Sequence, residues 1–340
     1  MGQLLQLKNS NDIFNNEIDK LTSLCHEDLE SINTLILQKL DSNVPLIKEV
    51  ASYLILSGGK RLRPLLTSCS FNLIKKTSDN NKEHIGLAAA VEFIHAATLL
   101  HDDVIDESKR RRGNLTANEV WGNKTSVLVG DFLFSRAFQL MTKYGNLEVL
   151  KILSDTSVTI SEGEVLQLLN SHNPDINEKQ YFKVIQFKTA KLFEACGSLA
   201  GISNNGSSEE IDQYSRLGLH FGIIFQLIDD ILDYSGNASQ IGKNIGDDLS
   251  EGKITLPLIY AIKNSTERQR NLIKDAIKIG DISRLPDVIE IIEETKSIAK
   301  VRIESEKQLE NIKFILKTIP NNDFLRIIMD LAEYSVYRKN

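Results

Sequence analysis

Two short acidic motifs in this chain carry the residue types needed for metal-assisted phosphate chemistry. The first, an Asp-Asp-x-x-Asp motif, comprises Asp102, Asp103 and Asp106 and closes a mostly apolar run that begins at Ile85. At 3.6 residues per turn, Asp102 and Asp106 project from one face of a helix. Two carboxylates placed in this way suit Mg²⁺, which prefers one or two protein carboxylates together with water and phosphate oxygens.

The second motif repeats the first pattern later in the chain. Asp229, Asp230 and Asp233 again lie at the end of an apolar segment, residues 221–232. A single motif is weak evidence, because acidic residues near a helix end are usually only solvated. Six carboxylates brought together would repel one another strongly without cations. The repetition therefore predicts a site that holds several divalent ions.

Basic residues occur beside the first motif and in an earlier turn. Residues 109–112 read Lys-Arg-Arg-Arg and begin three residues after Asp106. Lys60 and Arg63 lie in the segment GGKRLRP (58–64), where a helix N-terminus would also favour an anion. That segment is equally compatible with an ordinary basic surface turn. Acidic residues that can bind a metal ion, next to basic residues that can bind phosphate, predict a diphosphate site.

The apolar spacing predicts an all-α fold. Helices are expected over residues 85–106, 127–141, 147–170, 181–201 and 211–234. Residues 113–122 are expected to form a loop or turn, residues 201–208 a connector, and no run indicates a strand. The doubled acidic helix suggests a single domain over residues 1–340, built as one large bundle around a central cavity.

Composition narrows the classes of function and location. The chain has 340 residues and a net charge of −6, which makes nucleic acid an unsuitable general partner. The three cysteines, Cys25, Cys69 and Cys196, are too scattered for a disulfide framework or a zinc site. Neither a secretory signal nor an uninterrupted apolar run of membrane-spanning length is evident. We expect a cytoplasmic protein, whose product could still bring transient membrane contact.

The ordered segments together resemble the trans-prenyl diphosphate synthases, the enzymes that elongate isoprenoid chains head to tail. The resemblance covers the chain from about residue 50 to its C-terminal end. It depends on five segments: GGKRLRP (58–64), the first Asp motif with RRG (111–113), KT (188–189), FQLIDD (225–230) through Asp233, and GK (242–243) through EGK (251–253). Within the family, the octaprenyl-forming long-chain members are the most similar.

The resemblance implies a role for each matching residue. It implies about three Mg²⁺ ions on the allylic diphosphate, held by Asp102, Asp106 and Asp229, with Asp103, Asp230 and Asp233 completing the acidic shell. The residues matching the isopentenyl diphosphate pocket are Lys60, Arg63, His95 and Arg112. Those matching the allylic diphosphate site are Arg111, Lys188, Lys243 and Lys253. Thr189 and Gln226 match polar groups near the reacting carbon, and the implied partner is a second copy in a homodimer.

Product length depends on the residues beneath the first motif. Short-chain members carry bulky aromatics four or five residues before it, where this chain has Thr98 and Ala97. The growing product is therefore expected to pass between helices. The residues that could block it further along are Val91, Ile94, Phe132, Phe134 and Phe138. The alternative is that these residues are ordinary members of the hydrophobic core. The resemblance implies a product of about six to ten isoprene units, with eight favoured.

Other readings fit fewer of these residues. His101-Asp102 is also the pair found in HD-type metal phosphohydrolases, which would leave the second Asp motif unexplained. A class I terpene cyclase would lack the GGKRLRP segment, because it binds no second diphosphate. A non-catalytic partner subunit should have lost acids from one motif, and a synthase of shorter chains remains the nearest alternative.

Overall fold

The computed structural model describes residues 18–59, 61–74, 82–235 and 245–337. Lys60 and Lys243, both expected at the diphosphate sites, lie outside these residues. The described chain is helical nearly throughout and has one contiguous hydrophobic core, which confirms the all-α prediction.

The helices are numbered here in chain order. They are α1 His26–Lys39, α2 Pro45–Leu56, α3 Leu62–Ile74, α4 Glu83–Ile105, α5 Ala117–Trp121, α6 Asn123–Tyr144, α7 Leu147–Asn170, α8 Glu178–Ile185, α9 Lys191–Ser203, α10 Ser208–Ser235, α11 Asp247–Ser250, α12 Leu256–Asn264, α13 Glu267–Ile279, α14 Leu285–Glu294, α15 Ser297–Leu316 and α16 Asp323–Tyr337. A π-helical segment, Gln186–Ala190, joins α8 to α9, and a 3₁₀ turn, Ile282–Arg284, precedes α14.

Helix α4 forms the centre of the bundle. It packs along α6, and it also contacts α1, α3 and α9. Its middle is built from small and branched apolar residues, and Ala88, Val91, Ile94 and Ala97 are fully buried. Small side chains let neighbouring helices approach closely, so α4 is fixed on several sides. Its C-terminal turn therefore holds the first Asp motif in a defined place.

The second acidic helix, α10, is held in a similar way. It packs against α9 on one side and α15 on another. The apolar residues on its buried face include Phe221, Ile224, Leu227 and Ile231, which follow helical spacing. Its last turns carry the second Asp motif.

The stretch between α4 and α6 differs from the prediction. Strands β1 (Arg110–Arg111) and β2 (Asn114–Leu115) pair antiparallel, with Arg111 opposite Asn114. The turn between them is Arg112-Gly113, and both residues have positive φ, 52° and 81°. This is the backbone required by a two-residue hairpin turn. The loop expected over residues 113–122 was therefore wrong, because it also contains α5.

One further boundary departs from expectation. Helix α9 continues to Ser203, so the connector before α10 is shorter than the one predicted over residues 201–208.

Helix α4 is long and apolar enough to cross a bilayer, with 72% of its most apolar window buried. That degree of burial is what a core helix of a bundle shows, and it accounts for the run of hydrophobic residues.

Helix α7 matches the predicted residues 147–170 and approaches the π segment closely. Its N-terminus is capped by Asn146, whose side chain accepts a hydrogen bond from the Val149 amide at 3.0 Å. Gly163 lies at the contact with the π segment. A Cβ at this position would lie only 2.7 Å from the Lys188 backbone nitrogen. Glycine is needed here because any side chain would displace the backbone that carries Lys188 and Thr189.

We expect the Gly163→Ala substitution to lower both the melting temperature and the enzymatic activity. Alanine favours a helix interior over glycine by about 1 kcal/mol, so propensity alone predicts the opposite change in stability. Thermal unfolding and steady-state kinetics would test this, with the exposed Ser161→Ala on the same helix as control. An unchanged or raised melting temperature would contradict the close backbone contact.

Candidate active site

Asp103, at the C-terminal end of α4, is held by an arginine from the hairpin. Its side chain is fully buried, and the Arg111 guanidinium donates to both carboxylate oxygens, with Nη2 2.7 Å from Oδ1 and Nε 3.1 Å from Oδ2. A bidentate pair of this kind is both strong and directional. The hairpin turn thus places Arg111 against the first Asp motif, and Asp103 helps to fix that motif.

The other two acids of the first motif face lysines. Lys188 Nζ lies 3.8 Å from Asp102 Oδ2 and 2.6 Å from Glu164 Oε2. Lys253 Nζ lies 2.9 Å from Asp106 Oδ2 and also contacts Glu251. Each lysine is therefore shared between an acid of the motif and a glutamate outside it.

The second motif is organised around Asp230, which is only 2% exposed. The Tyr181 hydroxyl and the Gln226 amide donate to its two oxygens at 2.5 and 2.8 Å. Gln226 in turn accepts a hydrogen bond from the Thr189 hydroxyl at 2.8 Å. Asp229 and Asp233 are half-buried and stand four residues apart on one helix face.

Two chains of contacts connect the motifs. One runs from Asp102 to Lys188 and from its neighbour Thr189 through Gln226 to Asp230. The other runs from Asp106 to Lys253, whose backbone amide donates to the Asp248 carbonyl at 2.8 Å. The Asp248 amide donates to Asp233 at 3.3 Å. The structure thus brings the two distant acidic sequences into one region, as their repetition predicts.

Three carboxyl groups here, those of Asp230, Glu164 and Asp102, have raised pKa values because they are buried among other negative charges. Burial raises the pKa of Asp230 to about 8, with a further contribution from the charge of Asp248. Burial and the charge of Asp102 raise the pKa of Glu164 to about 7, although Lys188 opposes the shift. The pKa of Asp102 is raised as well, first by burial and then by Asp106, again against Lys188. Both motifs also lie at helix C-termini, where the helix dipole disfavours anions.

A second, basic region lies beside α4. The Arg63 guanidinium sits 4.5 Å from the centre of the Phe193 ring, and its buried Nε has no hydrogen-bond partner among the described residues. Burial lowers the pKa of His95 well below its usual value, and the charges of Arg63, Arg111 and Arg112 lower it further. His95 is therefore a neutral imidazole within a cationic pocket.

Arg112 approaches this region past a glycine turn. Gly59 has φ of +132°, and a Cβ built on it would lie 2.5 Å from the Arg112 guanidinium. Glycine allows both the backbone conformation and the close approach of the arginine. The described part of the GGKRLRP segment thus faces the RRG hairpin, which brings the predicted isopentenyl diphosphate residues Arg63, His95 and Arg112 to one side of α4.

Comparison with known proteins identifies the family. The sequence profile of the family described as polyprenyl synthetase matches residues 44–295. The chain belongs to this family. It is 42% identical over 322 residues to an octaprenyl diphosphate synthase of Escherichia coli, covering 94% of this chain and 99% of that one. It is 40% identical over 312 residues to a Rhodobacter capsulatus all-trans-nonaprenyl-diphosphate synthase (geranyl-diphosphate specific), covering 92% and 95%.

A solved structure of similar fold comes from Caulobacter crescentus. It is a polyprenyl synthase complexed with calcium and isoprenyl diphosphate, with a TM-score of 0.90 and 40% identity to this chain. The alignment covers 95% of this chain and 98% of that one. The agreement over nearly the whole length confirms the isoprenoid synthase fold and the resemblance drawn from the five segments.

The acidic region is the predicted site of divalent cations, and the Caulobacter crescentus structure is complexed with calcium. No three His, Cys, Asp or Glu side chains in the described part of the chain converge as a preformed metal cage. Mg²⁺ does not require such a cage, because it takes one or two carboxylates and completes its shell with water and phosphate. That Asp102 and Asp106, together with Asp229 on α10, provide oxygen ligands of this kind stays a prediction.

The candidate chain-length residues occupy two different environments. Val91, Ile94 and Ala97 are fully buried along α4, and Thr98 is half-buried, with its hydroxyl donating to the His95 carbonyl at 2.8 Å. On α6, Phe132 stacks under the guanidinium of Arg136, and Phe134 and Phe138 line a groove of about 790 Å³ beside α7. Their roles in product length remain predictions.

Four residues of the site were not predicted from the sequence. Tyr181 and Asp248 contact the second motif, and Glu164 and Glu251 contact the lysines. Glu251 was visible in the EGK segment, and Glu164 lies on the acidic face of α7. The pattern does not reveal that Glu164 meets Lys188, because the two residues are far apart in sequence, whereas Glu251 meets Lys253 within its own segment.

The Asp230→Asn substitution is expected to stabilise the metal-free protein at alkaline pH. The folded carboxyl keeps its proton to about pH 8, whereas an unfolded aspartate loses it near pH 4. Between these values the unfolded state binds fewer protons, so the stability of the wild-type protein falls as pH rises. Asparagine cannot ionise and removes that loss.

Thermal unfolding in EDTA would measure this effect. The melting temperature of the variant should exceed that of the wild type by a margin that grows from pH 5 to pH 8, while its activity falls. The exposed Asp155→Asn serves as control and should show no such trend. A difference in melting temperature that does not depend on pH would contradict the conclusion that burial keeps Asp230 protonated.

Proposed function

We propose that this chain is a Mg²⁺-dependent trans-prenyltransferase that adds isopentenyl diphosphate repeatedly to an allylic diphosphate. The product is a long all-trans polyprenyl diphosphate, and octaprenyl diphosphate for quinone side chains fits best. The observation that carries the proposal is the presence of two charged regions at α4. One combines the acids of both motifs with Lys188 and Lys253, and the other holds Arg63 and Arg112 around a neutral His95.

The names of the relatives support a long product. They do not agree on a single allylic primer, so the primer of this chain has to be measured. The Escherichia coli relative is named for an octaprenyl product and the Rhodobacter capsulatus relative for a nonaprenyl product. The latter is described as specific for geranyl diphosphate. Farnesyl diphosphate is the primer we favour here, with geranyl diphosphate as the nearest alternative.

Metal ions have a defined place in this proposal. Asp102, Asp106 and Asp229 would hold about three Mg²⁺ ions, which supply charge for the leaving diphosphate. Breaking the allylic C1–O bond produces a diphosphate anion and an allylic cation, so the barrier is largely electrostatic. Lys188 and Lys253 contact the same acids and are placed to bind the diphosphate oxygens. Lys243 is proposed for the same task, and Arg111 aids it from its fixed position on Asp103.

The second substrate is proposed to bind in the basic pocket. Arg63 and Arg112, with Lys60, would bind the diphosphate of isopentenyl diphosphate, and neutral His95 can donate a hydrogen bond to it. The double bond of this substrate attacks the allylic carbon, and a proton is then lost from its C2. Thr189 and Gln226 are held near the acids by their mutual hydrogen bond and would orient the reacting carbon. The departing diphosphate is proposed to accept the proton.

We also propose a cytoplasmic homodimer. Large apolar side chains on α6 and α7 are exposed along one face: Leu128, Phe138, Leu147, Val158, Val165, Leu168 and Leu169. Three of them, Phe138, Val158 and Val165, line the groove that also contains Phe134. Exposed apolar patches of this kind mark interaction sites. A second copy of the chain is the occupant that the family resemblance implies, and membrane contact would then be limited to release of the product.

The activity is tested by incubating the purified protein with farnesyl diphosphate, labelled isopentenyl diphosphate and Mg²⁺. Chromatography of the dephosphorylated products should show a ladder ending at about eight isoprene units, the product length in the name of the Escherichia coli relative. EDTA should abolish incorporation. A ladder that stops at geranylgeranyl would retain the reaction and contradict the long product. Absence of incorporation with every allylic primer would contradict the proposal.

The Thr98→Phe substitution is expected to shorten the product. Thr98 lies one helical turn before Asp102 and is half-buried beside fully buried Ala97. A phenyl ring there would fill the space below the allylic substrate, so elongation should stop several units earlier at similar initial rates. Thr98→Val removes the hydroxyl without adding bulk and should retain the wild-type product length. Equal product lengths in all three proteins would show that the chain takes another route.

A further inference from the structure

Two glutamates beside the first Asp motif have no role in the reaction proposed above. Glu164 contacts Lys188 at 2.6 Å, nearer than Asp102 at 3.8 Å. Glu251 contacts Lys253, which lies 2.9 Å from Asp106. The arrangement occurs twice, and in both cases a lysine stands between a proposed metal ligand and a glutamate.

The charges of this group explain why a second acid is needed. Lys188 and Lys253 would by themselves cancel the charges of Asp102 and Asp106. A neutral group would attract divalent cations poorly, and each lysine would compete with the cation for the same oxygens. In their ionised forms, which for Glu164 requires a pH above its pKa of about 7, Glu164 and Glu251 return two negative charges to this face. Their side chains are only 19% and 27% exposed. Charges in such surroundings interact more strongly than charges in bulk water.

The backbone fixes the first of these contacts. Glu164 follows Gly163, which lies against the Lys188 backbone at the π segment. The glutamate and the lysine therefore extend from two chain segments whose separation is set by close packing. Asp102 extends from a third element, α4, and lies further from the ammonium group.

We propose that Glu164 is a positioning residue that holds the Lys188 ammonium off Asp102 and keeps this carboxylate available to a divalent cation. The inference rests on the proposed function, because it takes Asp102 and Asp106 as metal ligands. When a diphosphate binds, the lysine is already beside the metal site and needs only a small movement to contact it.

The Glu164→Gln variant tests this directly. Glutamine keeps the shape of the side chain but binds the ammonium less strongly, so Lys188 should move onto Asp102 and compete with the cation. We expect the affinity for Mn²⁺ to fall by about threefold to tenfold. The binding is measured with the full chain and the unreactive substrate analogue farnesyl thiodiphosphate, by following the electron paramagnetic resonance signal of free Mn²⁺. In kinetics, the Mg²⁺ concentration for half-maximal rate should rise more than kcat falls.

Three matched variants separate positioning from general effects of charge. Glu164→Asp keeps the charge and should recover most of the affinity. The exposed Asp155→Asn removes one negative charge from the same helix without touching Lys188 and should bind Mn²⁺ as the wild type does. In a Lys188→Met background, Glu164→Gln should lower the affinity much less, because the competing ammonium is gone and only the lost charge of the glutamate remains. Melting temperatures of all variants show that they are folded.

The results of these binding measurements distinguish the positioning role from the proposed function. Wild-type affinity in Glu164→Gln, or an equal loss in the Lys188→Met background, would overturn the positioning role and leave the proposed function intact. If the wild-type protein bound no Mn²⁺ with the analogue, the proposed function would fail and the inference with it. A loss that depends on Lys188 and is recovered by Glu164→Asp would establish it.

Discussion

The concentration of carboxylates at the ends of two helices is the constraint on which the rest of this structure depends. Asp103 and Asp230 are buried and the other acids are half-buried. All of them stand where the helix dipoles also disfavour negative charge. Arg111, Lys188 and Lys253 offset part of that charge in the described structure. In the function proposed above, the remaining negative charge attracts cations to the site. The charge would then be neutralised only when metal and diphosphate bind together.

The architecture serves this constraint by fixing the acids on rigid elements. Helix α4 is enclosed by α3, α6 and α9, and α10 is enclosed by α9 and α15. The groups that adjust the charge come from shorter pieces: the β1–β2 hairpin supplies Arg111, the π segment supplies Lys188, and the turn after α11 supplies Lys253. The acidic residues lie on long packed helices and the basic residues on shorter segments. This arrangement suits the proposed function, in which the basic side chains move from a carboxylate to a phosphate when the substrate binds.

Much of the fold and of the candidate site was predictable from the sequence. Helical periodicity identified the major helices, and the repeated Asp-Asp-x-x-Asp pattern identified both ends of the site. The spacing of residues 147–170 agreed with α7 residue for residue. The β1–β2 hairpin was missed because two-residue strands leave no alternation, although the Arg112-Gly113 pair was a usable turn signal. The contact of Glu164 with Lys188 was not predictable, since it depends on packing between α7 and the π segment, which no local pattern relates.

The π segment has a mechanical consequence. Lys188 and Thr189 are neighbours on one wide helical turn, yet Lys188 contacts the first Asp motif and Thr189 reaches the second through Gln226. A small rotation of this turn would therefore carry both side chains at once. Loading of the metal site and alignment of the substrate carbon would be coupled through a single stretch of backbone, so neither event could proceed independently of the other.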